Sequence, residues 1–247
     1  MQLKKFLGQN FLQDHNILRK EAELAEVEGK TVLEIGPGDG RLTEKLLFHK
    51  PKKLTVVEKD TRFAELLKDK FGDTIEILNA DFLDTTLDNF EVIIGNIPYN
   101  ITSPIIFKIA TMQFERALLM VQKEFAEKMI ATANKSNYGR LSVTAQLAFE
   151  ITLIQIVPAH LFVPKPKVDS AIIILEKNMQ ITEKDEEVIR YLFQHRNQNA
   201  KNALKHSKKF SEEKLSLLGD YAARRVRTLT KEECLEISKR LAQHGII

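Results

Sequence analysis

At 247 residues, with 43% hydrophobic and 29% charged residues, the chain is long enough to bury one large domain, or a domain of ordinary size with a small appendage. Lys and Arg number 37 against 34 Asp and Glu, so the net charge of +3 names no partner until its distribution is known. The single cysteine, Cys234, excludes an internal disulfide and a cysteine-based zinc site and fits a reducing compartment.

Residues 1–6 lack the long apolar core of a signal peptide, and no apolar run approaches the roughly 20 residues that span a bilayer, so a cytoplasmic protein without a membrane partner is expected. From residue 30 onward short apolar runs alternate with amphipathic segments. Strands are expected at residues 31–35, 54–58, 75–78 and 92–94, with helices at 41–48 and 61–71 between them. The alternation continues through a helical stretch at 103–111, an apolar run at 117–121 and helices at 123–133 and 138–150. Two β-rich runs, 151–157 and 170–176, then follow with only the proline-rich residues 158–167 between them. Without a helix to cross over, two such strands can pair antiparallel. The pattern predicts an α/β fold, a seven-stranded doubly wound Rossmann-like sheet with an antiparallel edge.

Beyond residue 178 the β-branched runs stop and the sequence becomes helical and charged. Thr182 before Asp185 and Ser211 before Lys214 resemble helix starts. A domain boundary is expected there, giving residues 1–178 and a small all-helical domain of residues 179–247.

The first strand runs into Glu34-Ile35-Gly36-Pro37-Gly38-Asp39-Gly40, a glycine-rich turn that lets backbone approach a ligand where side chains would clash. The second strand ends in Glu58, about twenty residues on, where an acid accepts hydrogen bonds from ribose hydroxyls. Asn79-Ala80-Asp81-Phe82 places another carboxylate after the third strand, at the same edge. No second phosphate-binding device or hydride-transfer site accompanies these residues, which favours S-adenosylmethionine over a dinucleotide.

The fourth strand ends in Asn96-Ile97-Pro98-Tyr99. An exocyclic adenine amine is a poor nucleophile because its lone pair is delocalised into the ring. The Asn96 side-chain oxygen and the Ile97 carbonyl would accept its hydrogens and expose that pair; Pro98 fixes the chain direction, and Tyr99 offers a flat face to the base. Phe162, in the proline-rich connection, is a candidate for the base's other face or an apolar plug beneath a loop. A base buried in folded RNA must leave its stack to enter such a pocket.

Together with Leu7-Gly8-Gln9-Asn10-Phe11-Leu12, Val121-Gln122-Lys123-Glu124, Tyr138-Gly139-Arg140-Leu141-Ser142-Val143 and Pro164-Lys165-Pro166-Lys167-Val168-Asp169-Ser170-Ala171, these segments resemble the KsgA-type ribosomal RNA small-subunit adenine dimethyltransferases along nearly the whole chain. The resemblance implies a class I S-adenosylmethionine-dependent methyltransferase fold and no metal. Asn10 and Leu12 would close over the cosubstrate, Gly36 and Gly38 line it, Glu58 hold its ribose, Asp81 with Phe82 bind its adenine, and Asn96 stand at the junction with substrate. It further implies a monomer that methylates two adjacent adenosines twice each in a hairpin near the 3′ end of small-subunit rRNA, within a pre-ribosomal small subunit, with a checkpoint role in ribosome biogenesis. An Erm-type large-subunit rRNA methyltransferase and a non-catalytic ribosome-assembly factor are the alternatives.

His195 to Lys201 is similar to the basic C-terminal helix of that family. Arg196, Lys201, Lys205, Lys208 and Lys209, followed by Arg224, Arg225 and Arg227, concentrate positive charge in the last third of the chain. They are candidates for RNA phosphate contact, the bland reading being a solvated helix face.

Overall fold

The structure is a computed structural model that describes residues 10–179 and 181–242. Residues 7–9 of the first motif, and residues 1–6, lie outside the described residues. The chain divides into two compact units, residues 1–126 with 151–177, and residues 127–150 with 178–247.

The first unit is organised by a sheet of seven strands. In chain order the first five are β2 (Thr31–Ile35), β3 (Lys53–Val57), β4 (Glu76–Leu78), β5 (Val92–Asn96) and β6 (Arg116–Gln122); β7 (Phe149–Val157) and β9 (Ser170–Lys177) complete it. Their spatial order is β4-β3-β2-β5-β6-β9-β7. Pairings from β4 through to β6 are parallel. Helices α1 (His15–Ala25), α2 (Arg41–Phe48), α3 (Thr61–Phe71) and α4 (Thr102–Thr111) precede or connect these strands, which explains the continuous burial of residues 32–35, 92–95 and 117–121 in β2, β5 and β6. After β2 the chain winds outward to β3 and β4, then returns to β2's other side with β5. That reversal opens a crevice at the carboxyl ends of β2 and β5. Gly95 allows the close approach there, because a Cβ on it would stand 2.6 Å from the Ile35 carbonyl oxygen.

One expected detail is displaced. The antiparallel strand is β9, against β6, and it lies one place in from the edge, with β7 outermost. The reason is compositional: Ser170 through Leu175 are all buried, which suits an interior place, whereas β7 carries exposed or half-buried residues at most of its positions. A separate two-stranded ribbon joins β1 (Phe11–Leu12) to β8 (Phe162–Val163), with Leu12 opposite Phe162.

In the second unit, α6 (Arg140–Ala148) packs with α7 (Glu183–Gln194) and α10 (Lys231–Ala242), and α7 with α8 (Ala200–His206); α9 (Glu212–Ser216) is a single short turn. Thr182 and Ser211 cap α7 and α9 through the Asp185 and Lys214 amides, as their sequence pattern predicts. The division is not the single cut near residue 178 that composition suggests. Arg140 donates two hydrogen bonds of 2.6 Å to Glu186, and the Tyr138 hydroxyl donates to the Leu229 carbonyl at 2.8 Å, tying residues 127–150 to the C-terminal segment. The helix expected at 138–150 is shorter, since Phe149 and Glu150 already belong to β7, and α5 (Lys123–Met129) ends before residue 133. Cys234 is buried on α10, and burial pushes its thiol up, as befits a packing residue. Among the described residues no helix is long and apolar enough to cross a membrane, and no group of three or more His, Cys, Asp or Glu is placed to hold a metal.

Candidate active site

The crevice at the carboxyl ends of β2, β3 and β5 is a pocket, and every residue expected at the cosubstrate or the amine lines it. Its floor begins with the glycine turn. Gly36 and Gly38 have φ of +66° and +56°, left-handed values that favour glycine. Gly36 N–H donates to the Val57 carbonyl at 2.9 Å, which ties the turn to β3. A Cβ on Gly38 would meet the Phe11 ring at 2.6 Å. The turn therefore needs glycine both for its backbone and for the aromatic ring above it.

Glu58 is held by backbone on both carboxylate oxygens, Oε1 accepting from Asp60 N–H at 2.8 Å and Oε2 from Gly38 N–H at 3.1 Å. Burial pushes its pKa up, although both backbone donors oppose the shift. Asp81 differs. Its Oδ2 accepts from Lys59 at 2.5 Å and its Oδ1 from Leu83 N–H at 2.9 Å, and the Lys59 ammonium holds the carboxyl below its usual range. Phe82 is buried beside it, with the Lys108 ammonium 4.6 Å from its ring centroid.

The family resemblance implied Asn10 and Leu12 as the cover of this end but not Phe11 or Arg41. Phe11 sits over the turn and packs on Phe63 at 5.5 Å between ring centroids. Arg41, the first residue of α2, donates to Gln13 Oε1 at 2.5 Å and to the Leu12 carbonyl at 3.4 Å, and pairs with Asp39 at 2.9 Å. The basic residue directly after Gly-Asp-Gly was the signal available.

At the pocket's other end Ile97 N–H donates to the Met120 carbonyl at 3.0 Å, anchoring the turn after β5 to β6. Asn96 donates from Nδ2 to Glu21 Oε2 at 3.4 Å, while its Oδ1 is buried and makes no hydrogen bond among the described residues. The Tyr99 hydroxyl shares a 2.6 Å hydrogen bond with Ser170 Oγ at the start of β9, and burial raises its pKa. Ser170 fixes the ring's tilt, a role hidden within the Lys167-to-Ala171 motif. Phe162 is 4% exposed and belongs to the hydrophobic core, as the plug reading has it, while also lining the pocket wall. Beneath the turn, burial lifts Glu34 to about 8, opposed by the Thr43 hydroxyl at 2.7 Å.

Residues 1–243 match the family described as ribosomal RNA adenine dimethylase. The chain belongs to that family. It is 47% identical over 178 residues to ribosomal RNA small subunit methyltransferase A of Mycoplasma mobile, covering 70% of each chain. Among solved structures it resembles a dimethyladenosine transferase from Plasmodium falciparum (TM-score 0.81, 30% identity, 96% of this chain and 98% of that one). The 23S rRNA methyltransferase ErmE is also similar, at TM-score 0.65 and 32% identity over 94% of this chain and 99% of its own. The dimethylase is thus an S-adenosylmethionine-dependent methyltransferase that acts on adenine in rRNA.

The basic residues of the dimethylase's second unit have a different character. Arg196 donates to the Tyr138 and Ser136 carbonyls at 2.9 and 3.1 Å. Lys201 and Lys205 both pair with Glu212, whereas Lys208 and Lys209 are exposed beyond the end of α8. Val226 N–H donates to the Gln198 carbonyl and Arg227 N–H to the Arg196 carbonyl, so the two basic segments run side by side.

Proposed function

We propose that the dimethylase transfers two methyl groups to each of two adjacent adenosines in a hairpin near the 3′ end of small-subunit rRNA, on a pre-ribosomal small subunit. The observation that carries this reading is the Asn96 Oδ1, a buried acceptor without a donor, in a pocket it shares with a backbone-held acid. A buried acceptor left unmatched costs about 1–3 kcal/mol, so its persistence here points to a donor that arrives with substrate.

The residues of the other end fit S-adenosylmethionine: Gly36 and Gly38 leave room for close backbone approach, Glu58 has lone pairs left for ribose hydroxyls, and Asp81 and Phe82 suit an adenine edge and face. When bound, that molecule supplies an electrophilic methyl on a sulfonium. Asn10 and Leu12, with Phe11, shield this end from water.

Asn96 Oδ1 and the Ile97 carbonyl accept the two amine hydrogens, drawing the nitrogen toward a pyramid and exposing its lone pair. Pro98 directs the chain away and brings Tyr99 into place. The Tyr99 ring, held through Ser170, stacks on the flipped base, and its negative face favours the charge that develops on nitrogen. Phe162 bounds the opposite face. With reactants so aligned, orientation supplies on the order of 7–11 kcal/mol, and the acidic ammonium product loses its proton to water. Arg196, Lys201, Lys205, Lys208 and Lys209 contact RNA phosphates.

Mapping methylated adenosines on both rRNAs, from cells with and without the protein, tests the reading. Loss of methylation on two adjacent small-subunit adenosines is expected. Loss on large-subunit rRNA would transfer the assignment to an Erm-type activity, and no change at all would leave a non-catalytic assembly factor.

A further inference from the structure

Glu21 lies on α1, a helix of mixed charge, yet it is fully buried, facing Asn96 and near Glu34. Its Oε1 and the Asn96 Oδ1 are the two buried side-chain oxygens that make no hydrogen bond among the described residues, and a single 3.4 Å contact, Asn96 Nδ2 to Glu21 Oε2, joins the two side chains. Burying an acid without a cation is expensive, and leucine would suit the apolar surroundings of Leu18, Ala22 and Ala25 better. Something other than packing therefore requires an acceptor at this point.

The need follows from the shape of an amide. The oxygen and nitrogen ends of Asn are nearly identical in size, so a packed wall cannot decide which of them faces the pocket. A neighbour that accepts a hydrogen bond can. We infer that Glu21 is a positioning residue for methyl transfer: its carboxyl holds the nitrogen end of the Asn96 side chain, so that the oxygen end meets the substrate amine. With the amide reversed, Asn96 would point N–H at N–H and repel the base it should activate.

Glu21 itself does not line the pocket, so it acts through Asn96 alone. Burial, with a smaller contribution from Glu34, raises its pKa to about 8, and the neutral acid that results still accepts through its carbonyl oxygen. A glutamine offers the same carbonyl, but its N–H end also offers the reversed arrangement, so it sets the Asn96 amide less firmly. The inference rests on the proposed role of Asn96, and the test separates the two.

Single-turnover methyl transfer would be measured at saturating RNA and labelled methyl donor for Glu21→Leu, Glu21→Gln, Asn96→Ala and the Glu21→Leu/Asn96→Ala double variant, with donor affinity by calorimetry. Glu21→Leu should slow transfer by about tenfold or more, the weight of one hydrogen bond, with donor affinity within about twofold of wild type. Glu21→Gln should restore part of the rate, and the Leu change should add nothing in the Asn96→Ala background. A folded Leu variant at the wild-type rate, beside an inactive Asn96→Ala, overturns the role of Glu21 alone. An active Asn96→Ala overturns the reading beneath it. Should the Leu variant not fold, the Gln variant decides: folded, donor-binding and as slow as Asn96→Ala, it would defeat the inference.

Discussion

The two ends of the pocket are built on opposite plans. At the glycine turn both Glu58 oxygens already accept backbone N–H groups, and Asp81 is held by Lys59 and the Leu83 amide. At the end of β5 the acceptor that faces the chemistry, Asn96 Oδ1, is buried and unmatched. A satisfied carboxylate has a fixed position and spare lone pairs, which suits it to hold a ligand in the ground state. An unmatched amide oxygen gains most when charge develops on its partner. Under the proposed function, the first end binds and the second discriminates the transition state from what precedes it.

The contrast breaks most sharply at Asn96. Asn96→Ala should lower the single-turnover rate by roughly 10²–10³-fold, comparable to removing one preorganised donor or acceptor from an active site, while RNA and donor affinities hardly change. A loss that appeared in donor affinity instead would move Asn96 to the binding end. Glu58→Ala should show the reverse. Donor affinity, measured by calorimetry, should fall by about 1.5–3 kcal/mol, the range for hydrogen bonds to a charged group, with the rate at saturating donor nearly preserved. Undiminished affinity in a folded variant would remove Glu58 from the ribose.

The acids of the binding end also separate by pH. Burial raises Glu58 from 4.5, and Lys59 lowers Asp81 from 3.8. Ionised Glu58 is the stronger acceptor, so donor affinity should drop as the pH falls through its raised pKa. Asp81 stays ionised throughout that window. The acid limb should therefore vanish in Glu58→Gln and persist in Asp81→Asn, as read from donor dissociation constants between pH 4.5 and 8. A limb that followed Asp81 would reverse the assignment.

How far each end could be read in advance follows the same division. Gly36, Gly38, Glu58 and Asp81 were legible because left-handed backbone and strand-end acids recur at fixed spacing along one chain segment. The place of Asn96 to Tyr99 in the pocket was legible because their turn ends the fourth strand at the same sheet edge as the glycine turn. Glu21 was not, since an acid on an amphipathic helix normally faces water and only the packing of α1 buries it. Ser170 and Arg41 likewise act through tertiary contacts, to Tyr99 and to Gln13, that spacing does not encode. The place of β9 inside the sheet and the grouping of residues 127–150 with the C-terminal helices were hidden for the same reason: both depend on long-range partners, the β6 edge and Glu186.

The smallest effect belongs to the basic surface of the second unit, where chemistry is shallow and solvent competes. Lys201 and Lys205 share Glu212, and such exposed pairs reduce the charge they offer to phosphate, whereas Lys208 and Lys209 stand exposed past the end of α8. If this face contacts RNA, each phosphate contact removed lowers the slope of log affinity against log salt by about 0.7–0.9. Lys208→Ala/Lys209→Ala should accordingly flatten the slope by about 1.4–1.8, twice that value, and Lys201→Ala/Lys205→Ala by less, with donor affinity unchanged in both. Equal slopes for the two double variants would mean that Glu212 gives up its lysines to RNA. A slope unchanged from wild type in both would make these residues a solvated face and leave RNA capture to the pocket.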